Sequence, residues 1–244
     1  MKNIFPSKRK HRSEDHWVSL SDVMTSLMMI FLLISVIYMV KVREMVRIPT
    51  IYKDTLQGLG YALQKEFQND LKKWKATIDE DLTVRFHEPN IMFATSSASL
   101  KPEFKEVLDD FFPRYIKIMT DPKYKGNIEE IRIEGHTSTI WTKDVSEQKA
   151  YFLNMELSQS RTRTTLQYLM DMPVVTQSNG MFDWLKSHVR AIGFSSGRPL
   201  DATGKIVKDA DQTEDQSMSQ RVEFRVRTDI ERRVADIVER GKNS

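Results

Sequence analysis

Trp17-Val-Ser-Leu-Ser-Asp-Val-Met-Thr-Ser-Leu-Met-Met-Ile-Phe-Leu-Leu-Ile-Ser-Val-Ile-Tyr-Met-Val40 is the stretch on which the architecture turns. Residues 23–40 are 18 in a row without a charge. At 1.5 Å rise per residue, a helix of that length covers about 27 Å, close to the thickness of the hydrocarbon core. The run is longer than the apolar part of a usual signal sequence, and no Ala-x-Ala site follows it; the exit reads Met39-Val-Lys-Val-Arg43. Residues 17–42 are therefore expected to form an uncleaved, single-pass transmembrane helix. Lys8-Arg9-Lys10-His11-Arg12 precedes it and places the tail, residues 1–16, on the cytoplasmic side. The remainder of the chain is then expected on the far side.

Asp22 lies at the edge of this stretch or inside it. A carboxylate in hydrocarbon costs about 2.5–3.5 kcal/mol on insertion scales and is seldom there without a role. Thr25 and Ser26 follow three and four residues later, on the same helical face. One reading is an ion carrier facing a partner helix, with its pKa raised by the low dielectric so that it cycles between neutral and charged forms. The other is an interfacial N-cap, with the helix starting at Val23. The residues alone leave both open.

Outside the span the chain is polar and its charges nearly balance: 37 Lys and Arg against 34 Asp and Glu in 244 residues, a net +3. That balance gives no reason to expect direct nucleic-acid binding. The absence of cysteine excludes disulfides, Cys-ligated zinc and thiol catalysis. His11, His16, His87, His136 and His188 show no ligand spacing, so no metal site is expected.

Residues 43–80 read as a helical connector. Leu56, Leu59, Leu63, Phe67, Leu71, Trp74 and Ile78 form one apolar stripe at spacings of 3 and 4. So narrow a stripe favours pairing with a second copy over packing on the chain's own domain. Pro49, Gly58 and Gly60 are expected to interrupt the first part. From residue 81 the pattern becomes globular. Leu82, Val84 and Phe86 alternate as a strand. Phe104, Val107, Leu108, Phe111 and Phe112 share a helical face behind Pro102, with Pro113 expected to kink or end that helix. Ile131 and Ile133 mark a second strand running into Gly135-His-Thr-Ser138. A helix carrying Leu157, Arg161, Leu166 and Leu169 follows, then strands over 189–194 and 221–227 and a terminal helix over 229–240. Strands separated by helices predict an α/β domain with a mixed sheet.

Gly193-Phe-Ser195-Ser-Gly197 matches the G-x-S-x-G pattern of a nucleophile elbow. An elbow needs a helix directly after the turn. Arg198-Pro199 and a polar stretch follow instead, which argues against a serine hydrolase. The other candidate combines Gly135-His-Thr-Ser138 with Asn154-Met-Glu-Leu157-Ser158-Gln-Ser-Arg161. An Asn and an Arg on the first turns of a helix beside a glycine turn would form an anion pocket. The plainer alternative makes Asn154 a helix cap and Arg161 half of a surface ion pair.

These same segments carry a resemblance. Ile133-Glu-Gly135-His-Thr, Asn154-x-x-Leu157-Ser158-x-x-Arg161, the stretch Gly193-Phe-Ser-Ser-Gly-Arg-Pro199, and Ser219-Gln-Arg221-Val-Glu-Phe224 resemble, in order, the OmpA-like peptidoglycan-binding domain. The resemblance spans roughly residues 82–228 and places an OmpA-like domain over 81–244. It implies a site for the diaminopimelate of wall peptides lined by Thr137, Ser138, Asn154, Leu157, Arg161 and Arg221, with Arg161 holding a carboxylate. The family has Asp where this chain has Ser138, and about eight additional residues separate that position from Asn154.

The span Asp22-Val-Met-Thr-Ser-Leu-Met-Met-Ile-Phe-Leu-Leu33 is similar to that of MotB-type stator subunits. With Glu66-Phe-Gln-Asn-Asp-Leu-Lys-Lys-Trp74 and Phe111-Phe-Pro-Arg-Tyr115 it looks most like the MotB-like stator subunits of the Zorya anti-phage defence system. That resemblance implies a homodimer in the bacterial inner membrane, inside a pentameric ring of ZorA/MotA-like membrane subunits. Asp22, with Thr25 and Ser26 beside it, would pass H+, or alternatively Na+, and the periplasmic domain would hold peptidoglycan. No cofactor and no enzymatic reaction are expected. A flagellar stator subunit and a static wall tether are the alternatives.

Overall fold

The apolar segment and the first half of the stripe belong to one helix, α1 (Glu14–Phe67), in a computed structural model that describes residues 14–141, 145–208 and 213–229. For residues 14–19 and 44–55 only the backbone is described. The tail expected over 1–16 lies outside the described residues up to residue 13, as does the terminal helix beyond residue 229. The backbone of α1 passes through Pro49, Gly58 and Gly60 without the interruption that these residues predict. Gly58 and Gly60 lie against Tyr124 and Leu82. That packing offsets the cost of about 1 kcal/mol for each helical glycine.

The chain divides into two compact units, Met1–Ile51 and Tyr52–Ser244. In the first, Leu20–Arg43 is long and apolar enough to cross a membrane. Its side chains are exposed, Leu27 and Phe31 by two thirds. Lipid or partner helices are the natural cover for such a surface.

The second unit begins well before residue 81. It holds a five-stranded sheet of β1 (Ala76–Ile78), β2 (Thr83–Phe86), β3 (Ile128–His136), β4 (Val189–Gly193) and β5 (Arg221–Thr228), in the order β1-β2-β5-β3-β4. Only β3 and β4 are parallel. This is the mixed α/β sheet expected. The helices are α2 (Leu71–Trp74), α3 (Pro89–Met92), α4 (Pro102–Met119), α5 (Glu147–Met170), α6 (Pro173–Thr176), α7 (Met181–His188) and α8 (Gln216–Ser219). Two boundaries differ from expectation. The connector read as helical to residue 80 contains β1, too short for its alternation to be visible in the sequence. Pro113 does not end α4, which continues to Met119. The carbonyl deprived of its helical donor belongs to Asp109, an exposed residue where water can substitute.

The stripe also has a different destination from the one favoured above. Leu59, Leu63 and Phe67 on α1 and Trp74 on α2 are fully buried, or nearly so, in the core of their own domain. Phe67 packs on Trp74 and Phe111 at centroid distances of 5.6 and 5.3 Å, and Phe111 on Phe86, Tyr115 and Phe224 at 5.2, 4.9 and 5.1 Å. Arg114 on α4 closes the join. It donates to Glu66 Oε1 at 2.8 Å, the Glu66 carbonyl at 2.7 Å and Asp70 Oδ2 at 2.9 Å, with its guanidinium 5.0 Å from the Phe67 ring. Pairing with a second copy through this stripe is thereby overturned. The aromatic face of α4 already covers it.

The placement of α5 depends on two glycines. Gly135 and Gly193 are register partners on β3 and β4. A Cβ at Gly135 would meet Thr162 Cγ2 at 2.6 Å; one at Gly193 would meet the backbone nitrogen of Gln159 at 2.5 Å. Hydrogen at both positions lets the α5 backbone rest directly on the sheet. Gly193→Ala is expected to cost about 1–3 kcal/mol or more of unfolding free energy, because the atom it meets is backbone and cannot rotate away. Denaturant titration of the full chain in detergent measures this; an unchanged midpoint would show that α5 has room to move.

Candidate functional site

The C-terminal end of β3 is flanked by β4 and β5, so His136, Thr137 and Ser138 emerge from it buried. Helix α5 passes beside that end. It starts at Glu147 with Ser146 as its cap, whose hydroxyl accepts from the Lys149 N–H. Asn154 therefore lies two turns inside the helix and caps nothing, contrary to the plainer alternative. It shares the buried face with Ser158, Arg161 and Thr162.

Thr137, Ser138, Asn154, Leu157 and Arg161 come together on a cleft of about 370 Å³. Five of the six expected binding residues thus meet in one place. The opposite walls are ones the sequence did not reveal: Phe93 and Asn90, Thr95 and Ser96 in the following loop, Ile140 and Trp141 after β3, and Gln216 and Gln220 around α8. Phe93, Ile140 and Trp141 aside, their only signal in the sequence is a polar, turn-rich composition.

Arg161 is the cleft's charged centre. It is only 8% exposed. Its Nε donates to the Ser97 carbonyl at 2.9 Å, Nη2 reaches the Ala94 carbonyl at 3.5 Å, and the guanidinium lies 4.8 Å from the Phe93 ring centroid. No carboxylate pairs with it among the described residues, so it is not the surface ion pair of the plainer alternative. Burial pushes its pKa down to about 10, which still leaves it charged at neutral pH. Among the described residues Nη1 has no partner. Two further buried polar atoms on the cleft residues, Asn154 Nδ2 and Thr137 Oγ1, have no hydrogen-bond partner among the described residues. Unmet donors of this kind, gathered on one cleft with an unpaired cation, fit an anionic ligand.

Arg221, the sixth residue, is placed differently. It lines a separate small cavity with His136 and Arg161. Its Nε donates to Glu223 Oε1 at 2.6 Å, and Nη1 to the Arg198 and Ser219 carbonyls at 3.1 and 3.0 Å. Its Nε and Nη1 are held by the protein, a structural role, and it does not line the cleft that the other five residues share. Glu223 also takes Arg85 Nε at 2.8 Å and lies 3.6 Å from His136 Nε2. Burial alone would raise the Glu223 carboxyl, but His136, Arg221 and Arg85 outweigh it and hold it well below the usual carboxylate range.

Glu134, His136 and Glu223 stand close enough to ligate a metal, a grouping invisible in the sequence because it forms across β3 and β5. The donor set does not suit one. Arg221, Arg85 and Arg225 already direct guanidinium groups at the two carboxylates.

Ser195 is fully buried and has φ of 53°. Its hydroxyl donates to the Tyr151 carbonyl at 2.6 Å and its N–H to Ser158 Oγ at 3.1 Å. Of the described helices, the next after it is α8, at Gln216. The G-x-S-x-G turn fastens β4 to α5 and presents no nucleophile.

In the other unit, Asp22, Thr25 and Ser26 are exposed on α1. The helix begins at Glu14, so Asp22 lies inside it and is not its cap. Thr25 Oγ1 donates to the Ser21 carbonyl at 2.8 Å, which leaves its lone pairs free.

No family model matches the chain. It is 43% identical over 237 residues to the Zorya protein ZorB of Escherichia coli, covering 95% of each chain. Among solved structures, a MotB-like protein of Desulfovibrio vulgaris is 17% identical with a TM-score of 0.47, covering 76% of this chain and 99% of the other. The cell wall anchor of the T6SS from Pseudomonas aeruginosa is 19% identical with a TM-score of 0.43, covering 68% and 96%. The periplasmic domain of Helicobacter pylori MotB is 15% identical with a TM-score of 0.40, covering 66% and 87%.

The two arginines differ in what they contribute to stability. Arg161→Gln removes an unpaired buried charge along with its hydrogen bonds to two carbonyls, and is expected to change unfolding free energy by less than about 1 kcal/mol. Arg221→Gln strips Glu223 of its closest cation and is expected to cost about 3–5 kcal/mol. Parallel denaturant titrations compare them; equal losses would contradict the division into binding and structural arginines.

Proposed function

The chain belongs to the ZorB family, and on that premise we propose that it is the wall-anchored stator subunit of an ion-driven complex in anti-phage defence. In this reading it crosses the bacterial inner membrane once, N-terminus in the cytoplasm. Two copies sit inside a ring of five ZorA/MotA-like subunits, and protons pass by way of Asp22. The observation that carries the reading is Asp22 within the apolar span of α1. A carboxylate there is expensive unless it binds something, and its helical neighbour Thr25 offers an oxygen with free lone pairs. Carboxylate and hydroxyl oxygens suit H+ and Na+ alike; the family favours H+.

The domain supplies the second half of the role. A charge moving past a helix does mechanical work only if the helix is held against the reaction force. The cleft around Arg161 provides a grip with suitable chemistry: an unpaired guanidinium and two unmet polar groups, matched to a carboxylate on a wall peptide.

Two outcomes test the halves separately. Asp22→Asn keeps size and polarity but cannot carry a proton. It is expected to reduce phage protection, and proton flux through the complex with its membrane partner, to the level of cells lacking the protein, while membrane insertion stays unchanged. Retained protection and flux would refute ion carriage and favour a static tether. Arg161→Ala in the full chain is expected to weaken co-sedimentation with purified sacculi about thirtyfold or more, as loss of a desolvated charge contact does. Undiminished sedimentation would refute the cleft as the wall site.

A further inference from the structure

Arg161 is held without a carboxylate, and what holds it comes from one short segment. Phe93 follows α3 in extended backbone, at φ −137° and ψ 154°, and pairs with Leu100 in an antiparallel bridge. The Lys101 N–H donates to the Met92 carbonyl at 3.0 Å and closes the loop between them. The Phe93 ring is thereby fixed. It is 5% exposed and packs edge-on against Phe104, with 6.0 Å between centroids. The Arg161 guanidinium lies over that ring, and the loop that follows presents the Ala94 and Ser97 carbonyls to Nη2 and Nε.

A similar stack at Arg114 has a different electrostatic setting. Its guanidinium lies over Phe67, and Glu66, Asp70 and Asp110 also pair with it. Burial there opposes the charge, but the three carboxylates outweigh it and push the pKa up. At Arg161 the groups across the small cavity are Arg221 and His136, neither of them anionic. Among the described residues, the negative face of the Phe93 ring and two carbonyl dipoles are what meet this cation. A ring face attracts a desolvated guanidinium without using its N–H donors, so Nη1 stays available.

We propose that Phe93 is the positioning residue of the cleft: its ring face takes the place of a counter-ion, fixing the Arg161 guanidinium and supporting its charge while leaving donors for a ligand. This rests on the wall-binding reading above and adds the residue through which Arg161 is aimed. A carboxylate in that place would hold Arg161 as firmly, but it would neutralise the charge and consume the donors that an anionic ligand needs.

The test follows co-sedimentation of the full chain in detergent with purified sacculi from pH 7 to pH 11. Phe93→Leu and Phe93→Met keep an apolar side chain and remove the ring; Phe93→Tyr keeps the ring. Wild-type binding is expected to fall as pH rises through about 10, where the buried Arg161 loses its charge. Either variant without the ring is expected to bind about tenfold more weakly at pH 7. Its alkaline fall is expected about one pH unit lower, because the ring favours the charged form. Phe93→Tyr is expected to follow the wild type. In the Arg161→Ala background, loss of the ring is expected to cost nothing further. A loss at pH 7 as large without Arg161 as with it, or an alkaline fall that stays at the wild-type pH, overturns the role of Phe93 and leaves wall binding through Arg161 standing. If the wild type does not bind sacculi at pH 7, the wall-binding reading falls and this proposal with it.

Discussion

The contact between α5 and the sheet over Gly135 and Gly193 is the constraint on which the domain's chemistry rests. Two strands present hydrogen where any other residue presents Cβ, and the α5 backbone fills the space. Ser158, at that contact, uses its hydroxyl twice: it donates to the Met155 carbonyl and accepts the Ser195 N–H. The strand end, the helix and the turn after β4 are thereby locked together. Asn154, Leu157 and Arg161 are on the same helix at i, i+3 and i+7. Once α5 is seated, all three reach the mouth of β3 without further adjustment.

The part of this arrangement that is local in sequence was legible. Four strands were read from the sequence, three of them from alternation, and the amphipathic face of α4 was visible behind Pro102. Asn154 and Arg161 on the first turns of a helix beside the Gly135 turn suggested an anion pocket; the close approach of α5 at Gly135 and Gly193 did not show in the sequence. What was not legible depends on partners distant in the chain. The loop that receives Arg161 is 64 residues away. The partners of Glu223 arrive from β2, β3 and its own strand β5. A motif position therefore suggested Arg221 as a ligand contact, while its Nε and Nη1 hold Glu223 and two carbonyls away from the Arg161 cleft. The stripe from Leu59 to Trp74 failed for a related reason. Periodicity shows that a face is apolar and says nothing of what covers it; the cover is the ring cluster of Phe86, Phe111, Tyr115 and Phe224, whose convergence no spacing reveals.

The distribution of charge carries the argument furthest. Beneath the cleft, Glu134, Glu223, His136 and their arginines form a network in which each buried charge faces an opposite one, the condition for keeping ions out of water at tolerable cost. Arg161 departs from that rule. Burial has pushed its pKa down to about 10, so the folded domain holds its charge at a cost that the unfolded chain does not bear. By linkage the sign is definite: folding favours the neutral form, so Arg161 lowers stability at every pH below about 10, and the loss is relieved only as pH rises from there toward the ordinary arginine value. An anion in the cleft reverses the balance, because it restores the missing partner and binds only the folded state. A site built this way is weaker without its ligand and stronger with it. For a domain whose proposed task is to grip a wall under load, ligand and fold then stabilise one another.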